Sequence, residues 1–160
     1  MIRPATPLDA DAIAAIYNPY VTGTVISFET APVTAEEMAG RIRATLASHP
    51  WLVCEEDGVI LGYAYAGRWK DREAYRFSVE TTVYVARDQA RKGVGRSLYA
   101  ALLPELRLRG FHTALAVIAL PNEASVALHE AFGFRQAGLT PQVGWKSGRW
   151  VDVGYWALPL

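Results

Sequence analysis

Residues 80–110, ETTVYVARDQARKGVGRSLYAALLPELRLRG, decide how this chain folds, because three different patterns meet there without a gap. Upstream and into this stretch, Phe77, Val79, Thr81, Val83 and Val85 alternate with Ser78, Glu80, Thr82 and Tyr84. A period of two predicts a strand with two unlike faces, and it puts Glu80 on the face opposite the valines. Downstream, Val94, Leu98, Leu102 and Leu106 recur at helical spacing and Gly110 is placed to end the helix. Pro104 removes one amide donor and clashes one turn back, so a kink is expected there. Between strand and helix, Arg91-Lys92-Gly93-Val94-Gly95-Arg96 sets two glycines and three cations at a helix start, where unpaired amides and the helix dipole favour an anion. The segment is neither GxxxxGK[ST] nor GxGxxG. Strand, basic turn and helix in this order describe a pyrophosphate cradle with an ionisable side chain one strand away, the layout of a small-molecule group-transfer enzyme.

Working outward, Trp51–Glu55 and Val59–Gly67 form two strand-like runs around Glu56-Asp57-Gly58, a tight-turn sequence. Thr34 and Glu37 make a capping box, with Val33 and Met38 as a hydrophobic staple and Met38, Ile42 and Leu46 along one helix face that closes at His49-Pro50. An earlier helix starts near Thr6-Pro7-Leu8-Asp9 and runs through Ile13, Ile16, Tyr17 and Tyr20, with Pro19 ending or bending it. Beyond the central stretch, Thr113–Leu120 is a short apolar strand, and Asn122 caps a helix carrying Val126, Leu128, His129 and Phe132 up to Gly133. The tail, Phe134–Leu139 and Trp150–Leu158 around a Gly/Lys-containing turn, reads as a terminal strand pair. Helices interrupting a sheet-rich chain give an α/β or α+β fold, and 160 residues with 51% hydrophobic content suit one domain over residues 1–160.

Sixteen basic side chains balance sixteen acidic ones, so the overall charge does not call for nucleic acid or an anionic membrane. Cys54 is the sole cysteine and lies in an apolar run, while His49, His112 and His129 lack metal-ligand spacing; no disulfide and no catalytic metal is expected. No run is apolar and long enough to span a bilayer, and a cytoplasmic location is the expectation.

Four groups of residues can carry chemistry. Glu80 on a central strand is either a general base whose pKa burial raises or a structural ion-pair partner. Thr81 and Thr82 beside it offer hydroxyls or are simply β formers. His129, inside a short helix, is either a proton donor or a satisfied boundary histidine. The loop Trp69-Lys70-Asp71-Arg72-Glu73-Ala74-Tyr75-Arg76 can clamp a carboxylate or phosphinate through Arg72, with Trp69 and Tyr75 as walls, and Phe28 in Ser27-Phe28-Glu29 can complete a pocket or belong to the core.

The ordered series IRPAT, IYNPYV, SFE, PWLV, GYAYAGRW, VETTVYV, RKGVG, LPNEASVALHEAFGF and PQVGWKSGRWVDVGYW resembles the GCN5-related N-acetyltransferases, and among them the phosphinothricin and methionine-sulfoximine acetyltransferases, over nearly the whole chain. The resemblance implies a mixed sheet split between two central parallel strands, with acetyl-CoA as cosubstrate in the split. It implies that the backbone of Val83, Tyr84 and Val85 holds the pantetheine arm, that Arg91, Lys92, Gly93, Val94, Gly95 and Arg96 surround pyrophosphate, and that Asn122 contacts the cofactor. Glu80 is then the base and His129 the group near the sulfur, both catalytic; Phe28, Lys70, Asp71, Arg72, Tyr75, Glu80, Thr81 and Thr82 line the site of a small-molecule amine acceptor. The family pattern carries Gln or Arg where this chain has Ala90, which costs one side-chain contact and leaves a backbone cradle intact. A homodimer is implied, with Trp145, Trp150, Tyr155 and Trp156 covering the interface or completing the core. A cradle that kept Arg91–Arg96 and Asn122 without using Glu80 or His129 would instead serve an acyl-CoA sensor.

Overall fold

Strand alternation at residues 78–85 divides the core in two. The computed structural model describes residues 1–160. Its elements are β1 (Ile2–Pro4), α1 (Ala10–Gly23), α2 (Ala35–Leu46), β2 (Trp51–Glu56), β3 (Val59–Arg68), β4 (Ser78–Val85), α3 (Val94–Leu108), β5 (Thr113–Leu120), α4 (Glu123–Ala131), β6 (Arg135–Lys146) and β7 (Arg149–Pro159). The strands form one mixed sheet in the order β1-β2-β3-β4-β5-β7-β6. On one face Val79, Val83 and Val85 pack with the buried stripe of α3, Val94, Leu98, Tyr99, Leu102, Leu103 and Leu106. Each such side chain fully withdrawn from water contributes about 1.5–3 kcal/mol. On the other face Tyr84 and Tyr65 join Ile13, Tyr17, Met38, Ile42, Trp51 and Tyr63 beneath α1 and α2.

All neighbouring strands are antiparallel except β4 and β5. These two run parallel and pair at only three positions, Ser78–Thr113, Val79–Ala114 and Glu80–Leu115. Beyond Leu115, β5 stays with β7 through Leu120, while β4 stays with β3 through Val85, so the sheet forks directly after Glu80. The Ala86 amide donates to Leu61 O at 2.9 Å on the β3 side. By strand parity the amides of Val83 and Val85 therefore face the other way, into the fork.

Several local expectations are met in the residues that motivated them. The Thr34 hydroxyl accepts from the Glu37 amide at 3.1 Å, the Glu37 carboxylate accepts from the Thr34 amide at 3.1 Å, and Val33 and Met38 are buried. Asp57 and Gly58, both with positive φ, turn β2 into β3. Other expectations change. Helix α1 does not end at Pro19 but runs on to Gly23, the buried Tyr17 and Val21 on either side holding the turns despite the lost donor, and Pro104 lies within α3 among the buried Leu102, Leu103 and Leu106. Helix α2 stops at Leu46, before His49-Pro50. Strand β6 extends to Lys146, well past Leu139, because register shifts at Gln136/Gly138 and Thr140/Gly144 absorb the glycines and Pro141 that read as breakers. Ile2–Pro4 adds an edge strand that so short a segment does not announce, fixed by Arg3, which donates to Asp9 at 2.8 and 2.9 Å and to Glu55 at 2.6 Å.

Candidate active site

The fork opens into a cleft of about 880 Å³ that passes between the two halves of the sheet. Its walls include Glu80, Thr81, Thr82, Val83, Tyr84 and Val85 of β4, Arg91, Gly93, Val94, Gly95 and Arg96 at the start of α3, and Asn122 and His129 of the α4 segment. Lys92, Phe28, Lys70, Asp71, Arg72 and Tyr75 are not among its walls. A second groove of about 770 Å³ runs under α1, where Arg3 and Asp9 are already engaged with each other.

At the α3 start the local backbone explains the cradle. Gly93 caps the helix at φ 84° and offers no side chain to its first amides, and Arg91 also has a positive φ. The first backbone bond of the helix is Ser97 N to Gly93 O at 2.9 Å, which leaves the amides of Val94, Gly95 and Arg96 without a partner in the chain. Unpaired amides at the positive end of a helix dipole, with guanidinium groups beside them, suit a phosphate. A Cβ on Gly95 would meet Leu128 Cδ2 at 3.3 Å, so glycine also lets α4 approach this turn. Across the cleft, Asn122 Oδ1 accepts from the Ser125 amide at 3.2 Å and fixes the start of α4.

Glu80 is half-buried at the last paired position before the fork. Burial raises its carboxyl above the usual range, and the Lys70 ammonium opposes that rise. Thus Lys70, although outside the cleft wall, acts on Glu80, while its charge also sits 5.0 Å from the Trp69 ring. Arg72 and Tyr75 belong to an exposed turn around Glu73–Tyr75, and Asp71 is exposed as well.

His129 lies on the opposite face of β4 and is 3% exposed. Its Nδ1 is 2.7 Å from Ser125 O and its Nε2 is 2.8 Å from the Tyr99 hydroxyl. That hydroxyl is also 3.0 Å from Thr81 Oγ1, which in turn is 3.3 Å from Leu115 O. Desolvation lowers the His129 pKa from the ordinary imidazole value, and the bond to Ser125 O only partly offsets it. Thr81 therefore contributes backbone to the cleft while its hydroxyl is engaged inside. Tyr99 is hidden in the sequence as one more apolar stripe residue; the only signal is a phenol on a face otherwise made of Val and Leu. Tyr20 is hidden likewise: it lines the cleft, and its hydroxyl donates to Val85 O at 2.5 Å.

Phe28 is 43% exposed and lies against Gly144 of β6, where any Cβ would collide with its ring. The segment carrying it is tied on both sides. Lys146 Nζ donates to Ser27 O at 2.5 Å, and Glu29 accepts from Arg41 at 2.5 and 2.9 Å and from the Tyr17 hydroxyl. Burial and the Glu29 contact push Tyr17 up to about 12.

A cleft with unpaired amides suited to an anion at one end and a forked strand pair flanked by a carboxyl and an imidazole at the other has the layout of a transferase for a long phosphate-bearing donor. Residues 2–154 match the family model described as an acetyltransferase (GNAT) domain. The chain is 44% identical to the phosphinothricin N-acetyltransferase of Streptomyces viridochromogenes over 155 residues, covering 97% of this chain and 85% of that protein. It is 40% identical over 161 residues to the L-methionine sulfoximine/L-methionine sulfone acetyltransferase of Pseudomonas aeruginosa, covering 99% and 94%. A solved GNAT superfamily phosphinothricin acetyltransferase from Sinorhizobium meliloti in complex with acetyl-CoA superposes with a TM-score of 0.96 at 36% identity, covering 100% of this chain and 88% of that one. The chain belongs to the GNAT acetyltransferase family and is an acetyl-CoA-dependent N-acetyltransferase.

Proposed function

We propose that this enzyme acetylates the amino group of a small amino-acid-like acceptor, such as L-methionine sulfoximine, methionine sulfone or phosphinothricin. The observation that carries the reading is the placement of Glu80, a half-buried carboxyl with a raised pKa at the mouth of the fork, on the face of β4 opposite His129. An acceptor on the Glu80 face meets a donor threaded through the fork. The names of the similar proteins supply the acceptor class.

Acetyl-CoA supplies a thioester carbonyl activated toward amines. The amides of Val94, Gly95 and Arg96, with Arg91, Lys92 and Arg96 around them, hold its pyrophosphate; Val83, Tyr84 and Val85 run beside the pantetheine, and Asn122 borders it from α4. Glu80 takes a proton from the acceptor ammonium, directly or through a water, and frees the nitrogen lone pair. A fork-facing amide, of Val83 or Val85, stabilises the charge that develops on the carbonyl oxygen. His129 stands toward the departing thiolate from the other face; burial lowers its pKa, and since its Nδ1 and Nε2 are engaged with Ser125 O and the Tyr99 hydroxyl, it acts through that chain and not by a bond of its own to sulfur. Phe28, Lys70, Asp71, Arg72, Tyr75 and Thr82 shape the acceptor side, Arg72 as the candidate partner of the acceptor's carboxylate, while Thr81, its hydroxyl engaged on the other face, offers only backbone there. The protein works in the cytoplasm as a homodimer, its second copy covering the exposed Trp145–Trp150 pair, whose rings lie 4.8 Å apart.

Thiol release from acetyl-CoA, followed across methionine sulfoximine, methionine sulfone, phosphinothricin, ordinary amino acids and polyamines, tests the reading. Saturable turnover on the first three is expected. Turnover confined to polyamines contradicts the acceptor class, and acetyl-CoA binding without turnover on any amine points to an acyl-CoA sensor.

A further inference from the structure

The hydrogen atoms available around His129 do not suffice to satisfy every contact at once in both of its charge states. Ser125 O is a carbonyl and can only accept, so at 2.7 Å the His129 Nδ1 must carry a proton. A neutral imidazole then has a bare Nε2, and the Tyr99 hydroxyl, 2.8 Å away, must donate to it. Tyr99 has no second proton, so in this state it cannot also make the 3.0 Å bond in which its hydroxyl donates to Thr81 Oγ1, and only the 3.3 Å bond from Thr81 to Leu115 O remains. With His129 charged, the Nδ1–H bond to Ser125 O stays and the bond at Nε2 reverses. Nε2–H donates to Tyr99, Tyr99 donates to Thr81, and Thr81 donates to Leu115 O. The Tyr99–Thr81 contact is thus idle in the neutral state and made in the charged one.

We propose that Tyr99 and Thr81 are positioning residues that lock neutral His129 in its Nδ1–H form, leave Nε2 as its one proton-exchanging atom, and report its charge to Thr81, the residue after Glu80 at the vertex of the fork. No bond is made or broken at Tyr99; the relay orders hydrogens. Its role in turnover rests on the function proposed above, whereas its structure does not. Few other groups face it. Glu130, next to His129 on α4, accepts from Trp156 Nε1 at 3.3 Å, and Arg96, one turn before Tyr99 on α3, is exposed. Glu80, on the other face of β4, acts on the Tyr99 phenol, which burial already holds protonated. Ser125 Oγ lies 3.4 Å from Nδ1, and the rings of Tyr99 and Phe134 lie 5.1 and 5.0 Å from the imidazole.

Replacing Tyr99 by Phe keeps the buried ring and removes the hydroxyl. An imidazolium Nε2–H without an acceptor is penalised more than a neutral Nε2 without a donor, because hydrogen bonds to charged groups are the stronger kind. The test is nitrogen NMR of the histidine-labelled apoprotein, with His49 and His112 assigned by substitution. The wild type is expected to show His129 as the Nδ1–H tautomer with a hydrogen-bonded Nε2. Tyr99→Phe moves the Nε2 resonance to that of a free nitrogen and lowers the titration midpoint by about one pH unit. Thr81→Val lowers it by less, and Thr81→Ser restores it. In thiol release Tyr99→Phe lowers kcat about tenfold with the acceptor KM little changed. An Nε2–H tautomer in the wild type, or nitrogen shifts, titration and kcat that Tyr99→Phe leaves unaltered, overturns the relay. Since the spectra need no substrate, wild-type enzyme that transfers nothing while keeping the Nδ1–H tautomer defeats the proposed function alone.

Discussion

At the residue scale, burial of Glu80 has opposite consequences for stability and for chemistry. Its carboxyl sits above the ordinary value, so the fold favours the protonated form. That preference stabilises the protein fully below the unfolded pKa and is lost as pH rises through the raised folded value. Glu80→Gln removes the loss. The variant is expected to melt with the wild type at about pH 4 and at a modestly higher temperature at about pH 7, in a thermal-shift series across that range. Identical curves at both pH values would mean that Glu80 is solvated. The face of Glu80 is legible in the sequence itself, from the alternation of residues 77–85. The Tyr99–His129–Thr81 cluster is not legible there, because it joins three elements whose sequence separation hides their contact, and because Thr81 and Tyr99 both read as ordinary residues of their own strand and helix.

At the element scale, the Phe28 segment and β6 test each other. Gly144→Ala places a methyl group where the Phe28 ring lies, so the ring must move. If Phe28 shapes the acceptor side, the acceptor KM rises about tenfold, while acetyl-CoA affinity by calorimetry stays near that of the wild type, a loss of uniform binding on one substrate only. A matching loss for both substrates would indicate general damage to the sheet. The α3 turn makes the complementary case. Gly95→Ala brings a Cβ to Leu128 and into the cradle, and it is expected to weaken acetyl-CoA about tenfold, in a fold that still gives the wild-type circular dichroism. Sequence patterns suffice for β5, for α4 and for the capped start of α2. They fall short for the reach of β6, since Gly138, Pro141 and Gly144 are breakers in isolation and become bulges once β7 supplies a partner strand.

For the whole molecule, the fork is what the sheet order produces: one parallel pair at the centre of an otherwise antiparallel sheet, held together for three positions and then released to different neighbours. The mixed sheet is anticipated from resemblance, and the matching solved structures share it; composition alone supplies only a sheet-rich chain with helices. None of the helices is long and apolar enough to cross a membrane. Trp145 and Trp150, each 59% exposed, form the most prominent uncovered aromatic pair. Light scattering on a sizing column is expected to give the mass of two chains, and Trp145→Ser combined with Trp150→Ser to give one. A wild-type monomer would assign the pair to some other contact.

Acetyl transfer through a fork whose base is Glu80 stands or falls on the pH dependence of thiol release for wild type and Glu80→Gln, with methionine sulfone and acetyl-CoA both saturating. Wild-type kcat is expected to rise with pH through a midpoint above the ordinary glutamate value, and the Gln variant to lose about 10²-fold or more at neutral pH with that inflection gone, recovering only as the acceptor amine deprotonates unaided. A Glu80→Gln enzyme that matches wild-type kcat across the neutral range would remove Glu80 from the chemistry.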